Sequence, residues 1–298
     1  MHNHAHCDHH RPASFGAAFA IGVVANGAFV IGEAVFGVYC HSLSLLADAG
    51  HNFGDVLGLL MAWAAASLAG RPPTANLTYG YRRSSILAAL ANSGILLVAV
   101  GAIAWEGVLR LLNPVAVDGS TVMGVAAVGI FVNGLTALLF ARGRHGELNV
   151  RSAYLHMLAD AALAAGVVVA GFAIRLTHQG WIDPLIALAI SVLIARASWG
   201  VLRESAELAM DAVPRGVDSS GVIGYFHSVA GVSAVTDMHI WAISTSENAL
   251  TVRLVAPDGL TDSDLRTIEV DLNRRFSIAH STVQVERTPG PGCSLSNE

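Results

Sequence analysis

The chain has 298 residues, 53% of them hydrophobic and only 13% charged, with a mean hydropathy of +0.55, which is far more apolar than an ordinary soluble domain and assigns most of it to a bilayer. Its formal charge of −5, with Arg in place of every Lys, leaves no basic footprint for nucleic acid. Cys7, Cys40 and Cys293 are scattered with no CxxC spacing, which excludes a disulfide framework and a thiolate zinc knuckle.

The first ten residues, MHNHAHCDHH, hold five of the thirteen histidines together with Cys7 and Asp8. Such a tract captures soft or borderline cations weakly. It lacks the charged start and cleavage pattern of a signal peptide, and its interrupted spacing is unlike a purification tag. Residues 1–14 are therefore read as a flexible, metal-collecting tail.

Six apolar segments follow, at about 15–39, 43–68, 82–110, 120–141, 152–176 and 183–203, each near the ~20 residues needed to cross the hydrocarbon core. Arg71, Arg82 and Arg83 lie between the second and third, and Arg142, Arg144 and Arg151 between the fourth and fifth. The opposite loops carry no Arg, Arg110 and Arg175. The positive-inside rule then places both termini in the cytoplasm. Glu33, Asn92, Glu106 and Asn133 are isolated polar groups at membrane depth or near its edges, and are read as interhelical hydrogen-bonding residues.

Within the second span, SLSLLADAGHNFGDVLGLL places Asp48, His51 and Asp55 on one stripe, because residues three and four apart share a helix face. In the fifth, AYLHMLADAALAAGVVVAG repeats the spacing with His156 and Asp160. Ionisable groups in hydrocarbon cost roughly 2.5–3.5 kcal/mol each on insertion scales, so two matched pairs imply a function. Packed face to face, the two helices bring two imidazoles and two carboxylates to one point, a set suited to tetrahedral zinc. A zinc enzyme would need three ligands, an open position and a general base, whereas these four close the sphere and no HExxH motif is present. A membrane-anchored metal sensor or storage protein is the other alternative, and six spans with internal ligands argue against a mere anchor.

After Asp211-Ala-Val-Pro214 the texture becomes mixed and charged. Helices are expected at about 217–230 and 261–276, the second opened by the capping stretch Thr261 to Asp264, and strands at about 234–243, 249–256 and 281–287. Two helices on a three-stranded sheet is the natural α+β packing. The domain plan is thus a tail (1–14), six transmembrane helices (15–210), an α+β domain (211–288) and a disordered tail (289–298).

These residues resemble the cation diffusion facilitators, in particular their zinc-transporting branch. SLSLLADAGHNFGD looks like the second-span signature, RPPTANLTYGYRRSSILAALAN resembles the second-to-third connection, ELNVRSAYLHMLADA is similar to the fifth-span signature, and TDMHIW with HSTVQVE resembles the C-terminal domain. The resemblance implies a transporter and not an enzyme, with a ferredoxin-like cytoplasmic domain, a homodimer in the cell (inner) membrane and no organic cofactor. It implies export of Zn2+, with Cd2+ or Co2+ as further substrates, in exchange for H+. It puts the transport site on His51, Asp55, His156 and Asp160; Asp48 matches a recurrent acidic position one turn earlier and is read as a helper or structural residue, an accessory metal candidate and not a direct ligand. It also places Arg83 and Asp211 where a charge interlock joins helix ends near the dimer interface. In the C-terminal domain, Thr236 and Arg253 stand where many members have histidine. His239 and His280 remain, with Cys293 as a third candidate, so a dimerising domain with one weakened accessory metal site, or none, is expected.

Overall fold

A computed structural model of the chain describes residues 17–141 and 148–289. The histidine-rich tail, with Cys7, and the end of the chain, with Cys293, lie outside the described residues. Six long helices come first: α1 (Ala17–Tyr39), α2 (Leu43–Ala69), α3 (Ser84–Leu112), α4 (Gly119–Ala141), α5 (Leu148–Thr177) and α6 (Ile182–Ala209). Among the described residues, five of them contain stretches long and apolar enough to cross a membrane, and α1 contributes the shorter apolar stretch Asn26–Tyr39. Large apolar side chains such as Val98, Phe131, Val169 and Val192 point outward from these helices. Outward apolar surface of that kind is what a lipid-facing helix presents.

The last helix runs six residues past the expected end of its apolar stretch. Its extension, RESAELA, mixes charged residues with the helix formers Ala and Leu, and Arg203 Nε donates to Glu207 one turn later at 2.8 Å. The helix stops at Ala209, just before Asp211, which adopts a left-handed φ of 61° shortly ahead of Pro214.

By compactness the chain divides into two units, one comprising the chain up to Val56 with Val98–Ala195, the other Leu57–Leu97 with Arg196 onward. The first unit holds an apolar core of Leu43, Leu45, Val100, Val122, Ala126, Val167 and Ile190. Within it α4 and α5 approach closely because small residues face each other. A Cβ built on Gly119 would stand 2.5 Å from the Gly171 carbonyl oxygen, and one on Gly171 would stand 2.9 Å from that of Gly119. Only glycine permits such backbone contact, the device by which helices associate where water supplies no driving force.

The second unit includes the C-terminal region, whose elements are α7 (Ser219–Ser228), β1 (Ala234–Ala242), β2 (Asn248–Val255), α8 (Asp262–Phe276) and β3 (Ile278–Glu286). The sheet order is β1-β2-β3, with β1 antiparallel to β2 and β2 parallel to β3 across the α8 crossover. The helices start where caps dictate. Asp218 accepts from Gly221 N at 3.0 Å, and Thr261 forms a capping box with Asp264. The Thr261 hydroxyl holds the Asp264 carboxyl below the usual carboxylate range. Ser277, left-handed with φ 57°, ends α8 abruptly, which is why β3 begins at Ile278, three residues earlier than alternation alone suggests. Leu250, Val252 and Leu254 of β2 point into a core with Val222 and Phe226 of α7 and Ile268 and Leu272 of α8. Alternation therefore sends Thr251 and Arg253 to the opposite face.

Candidate intramembrane metal site

The two helical pairs of the apolar spans meet inside the first unit. On α2, His51 Nε2 lies 3.8 Å from Asp55 Oδ2, and on α5, His156 Nε2 lies 3.7 Å from Asp160 Oδ2. The cross-helix approaches are closer: His51 Nε2 to Asp160 Oδ1 is 3.3 Å, and His156 Nε2 to Asp55 Oδ2 is 3.2 Å. A tetrahedral zinc with donors at 2.0–2.2 Å has donor–donor edges of about 3.3–3.6 Å. All four distances bracket that value.

His51, Asp55 and Asp160 offer donor atoms mutually within 4.8 Å. His156 reaches both carboxylates without joining that set, because the two imidazole rings stand edge to face with centroids 6.0 Å apart. Asp55 Oδ2 and Asp160 Oδ2 are buried and accept no hydrogen bond, although histidine nitrogens lie close by. Acceptor oxygens left in this condition suit a cation better than another hydrogen-bond donor. Two aspartates also balance a dication, so a loaded site carries no net charge into the low-dielectric interior. The site is graded in exposure, Asp160 being 2% exposed and the His156 side chain 42%, which gives an ion a way in.

Other residues singled out by sequence fall as follows. Asp48 is buried beside Glu33 and outside the group of metal-competent donors. Glu106 is held within its own helix by Arg110 Nε at 2.9 Å, so its bond is intrahelical and not interhelical. Arg83 pairs with Asp211 in the second unit, with both side chains about half exposed. In the sheet, His239 Nε2 lies 3.0 Å from Asp237 Oδ1, and the His280 ring meets Tyr79 edge to face at 5.7 Å. The two histidines sit on outer strands with β2 between them, and among the described residues they join no metal-competent group.

Sequence reading missed Asp183. Wholly buried at the start of α6, it accepts from Leu43 N at 2.6 Å, Ser44 N at 3.2 Å, Ser42 Oγ at 2.6 Å and Ser44 Oγ at 2.5 Å. It thus caps the N-terminus of α2 from another helix, with its charge at the positive end of the helix dipole. The available signal was an Asp-Pro step opening one apolar run and a Ser-Leu-Ser step opening another, and neither names its partner. Arg82 with Glu247, and Ser85 Oγ with Thr245 N at 3.1 Å, are likewise contacts distant in sequence.

Apolar helices of spanning length with histidine and aspartate converging between them define a class, the membrane proteins that handle divalent cations. Residues 19–208 match the family described as the cation efflux transmembrane domain, and residues 214–288 match the cation efflux protein cytoplasmic domain, so the chain belongs to the cation efflux family, the cation diffusion facilitators. It is similar to the "Cadmium, cobalt and zinc/H(+)-K(+) antiporter" of Bacillus subtilis (strain 168), at 34% identity over 87% of this chain and 85% of that protein. It is also similar to "Zinc transporter ZitB" of Escherichia coli (strain K12), at 33% identity over 99% of this chain and 96% of the relative. "Cation efflux system protein CzcD" of Alcaligenes sp. (strain CT14) is 32% identical over 94% and 90%. The family is one of transporters, not enzymes.

Proposed function

We propose that this protein is a secondary active transporter that exports Zn2+ from the cytoplasm in exchange for H+, with Cd2+ and Co2+ as further substrates. The observation that carries the reading is the convergence of His51 and Asp55 of α2 with His156 and Asp160 of α5, each histidine Nε2 lying 3.2–3.8 Å from an oxygen of both carboxylates. The names of the relatives, which include zinc, cadmium and cobalt, support the choice of ions. Two imidazoles and two carboxylates form a borderline-soft set that favours zinc over the hard cations magnesium and calcium.

Zinc binds neutral imidazole and ionised carboxylate, so protons and metal compete for the same atoms. Imidazole titrates near pH ~6.5 in model peptides, within reach of both sides of a membrane, which makes His51 and His156 the main exchange groups. The site loads from a near-neutral cytoplasm, the helices reorient, and a more acidic exterior protonates the histidines and releases the ion. Residues 15–210 form the transmembrane domain and 211–288 a cytoplasmic domain through which the protein dimerises. Both termini lie on the cytoplasmic side of the cell (inner) membrane, as the Arg-rich connections require.

The test is metal-dependent proton flux in proteoliposomes over a panel of divalent cations. Zinc should drive the largest proton counterflow, with cadmium and cobalt following and magnesium and calcium driving none. Metal entry without proton movement would overturn the antiport, and zinc uptake equal to that of empty vesicles would overturn transport.

A further inference from the structure

Polar groups of α1 and α2 that the metal group does not use converge on one buried point. Glu33 and Asp48 are each only 1% exposed, and Asn52, one turn beyond Asp48, is buried with them. Asn52 Nδ2 donates to Glu33 Oε2 at 3.4 Å, which brings the Glu33 carboxyl to the stripe of α2 that Asp48 and Asn52, four residues apart, share. Glu33 Oε1 and both oxygens of Asp48 receive no bond from any other donor. The charged or titratable groups acting on the pair, besides its own two members, are His51 of α2 and Asp160 of α5. Asn133 of α4, the helix against α1, is buried and does not titrate.

Two ionised carboxylates brought to one buried point, out of water and with one amide donor between them, repel each other and lack compensation. A single hydrogen on one of them supplies the missing donor, satisfies an orphaned oxygen of the other and leaves one charge where there were two. Like pairs of buried carboxyls elsewhere share a proton for this reason.

We propose that Glu33 and Asp48 form a proton-binding pair, holding one shared proton that leaves when metal enters the group His51–Asp55–His156–Asp160 and returns when it departs. The inference rests on reading that group as the transport site. Asp48 precedes His51 by three residues on the same helix stripe, so a dication bound there favours the doubly ionised pair. Only an O–H bond is made or broken, and the proton passes to solvent.

The experiment counts protons released per Zn2+ bound by the full-length protein in weakly buffered detergent solution at neutral pH. Glu33→Gln keeps a hydrogen-bond donor toward Asp48 but has no proton to lose, and Asp48→Asn is its reciprocal. Both variants should bind as many Zn2+ per chain as the wild type while releasing about one proton fewer per metal. Proton release equal to that of the wild type in both variants overturns the pair. A wild type that binds one more Zn2+ than either variant makes the pair a metal site and also overturns it. Asp55→Ala separates the two readings. Weakened zinc binding there with unchanged proton release in Glu33→Gln and Asp48→Asn refutes the pair alone, whereas undiminished zinc binding in Asp55→Ala refutes the transport site itself.

Discussion

The membrane helices and the C-terminal sheet treat polar side chains in opposite ways. Among the helices, Glu33, Asp48, Asp160 and Asp183 are buried almost completely, each with a cluster of polar partners or of orphaned oxygens. Among the described residues of the C-terminal region the buried positions are apolar or aromatic apart from Ser244, and His239, Arg253 and His280 lie on the sheet face away from the core. A charge in hydrocarbon costs roughly 2.5–3.5 kcal/mol, so its presence demands a return in binding or architecture. An exposed histidine costs nothing, and its presence implies nothing. The same residue types are therefore strong evidence in one region and weak evidence in the other.

Asp160→Ala gives the sharpest break of this contrast. It removes the most buried donor of the group without overfilling any space, so the protein should remain folded while zinc transport falls by more than the roughly 10–100-fold that loss of a mere outer-shell partner of a metal ligand costs. Transport into proteoliposomes by protein of wild-type chromatographic behaviour measures it, and a normal rate would refute the assignment.

Phe226→Ala probes the opposite region, where packing dominates. Phe226 is fully buried against α8 and the sheet, so truncation should destabilise the C-terminal region by about 3–5 kcal/mol. Hydrogen exchange of the β1–β3 amides in the full chain reads the loss. Protection unchanged from the wild type would show that this core does not hold the sheet.

Asp183→Ala tests architecture within the membrane region. It leaves Leu43 N, Ser44 N and two hydroxyls without their acceptor, at a cost of about 1–3 kcal/mol. Because His51 and Asp55 lie two to three turns along the same helix, zinc affinity should fall several-fold, and Asp183→Asn, which keeps an acceptor oxygen, should recover part of it. Calorimetric titration of zinc compares the two variants, and identical affinities in both and in the wild type would remove Asp183 from the site's support.

Arg83 and Asp211 should show the smallest effect. Their side chains are about half exposed, and such pairs contribute about 0–1 kcal/mol. Single and double neutralisation in a stability cycle should give a coupling inside that range. A larger coupling would mean that this pair joins helix ends as an interlock and not as an ordinary surface contact.

The pairing of His51 with Asp55 and of His156 with Asp160 could be read from sequence because helical spacing is fixed by backbone geometry: each pair shares a face whatever surrounds it. The elements of the C-terminal region were legible for the same reason, through local caps at Thr261 and alternation in TVRLV. The end of α6 was not, since apolar content marks the bilayer and not the helix, and RESAELA continues the helix by its own side-chain pairing.

Local chemistry thus determined which residues lie on each helix face, which stretches are apolar enough to cross a membrane and which charges need an explanation. Only the tertiary structure decided which of those charges meet. Asp183 stands 140 residues from Leu43 in the chain, and Glu33 and Asn52 belong to different helices, so their hydrogen bonds leave no periodicity in sequence. The separation of His239 from His280 was likewise a matter of strand order, with β2 inserted between β1 and β3. The physical reason is one of range. Backbone sterics and hydropathy act over a few residues and are written locally, whereas pairing across helices and strands depends on packing that the whole chain must complete first.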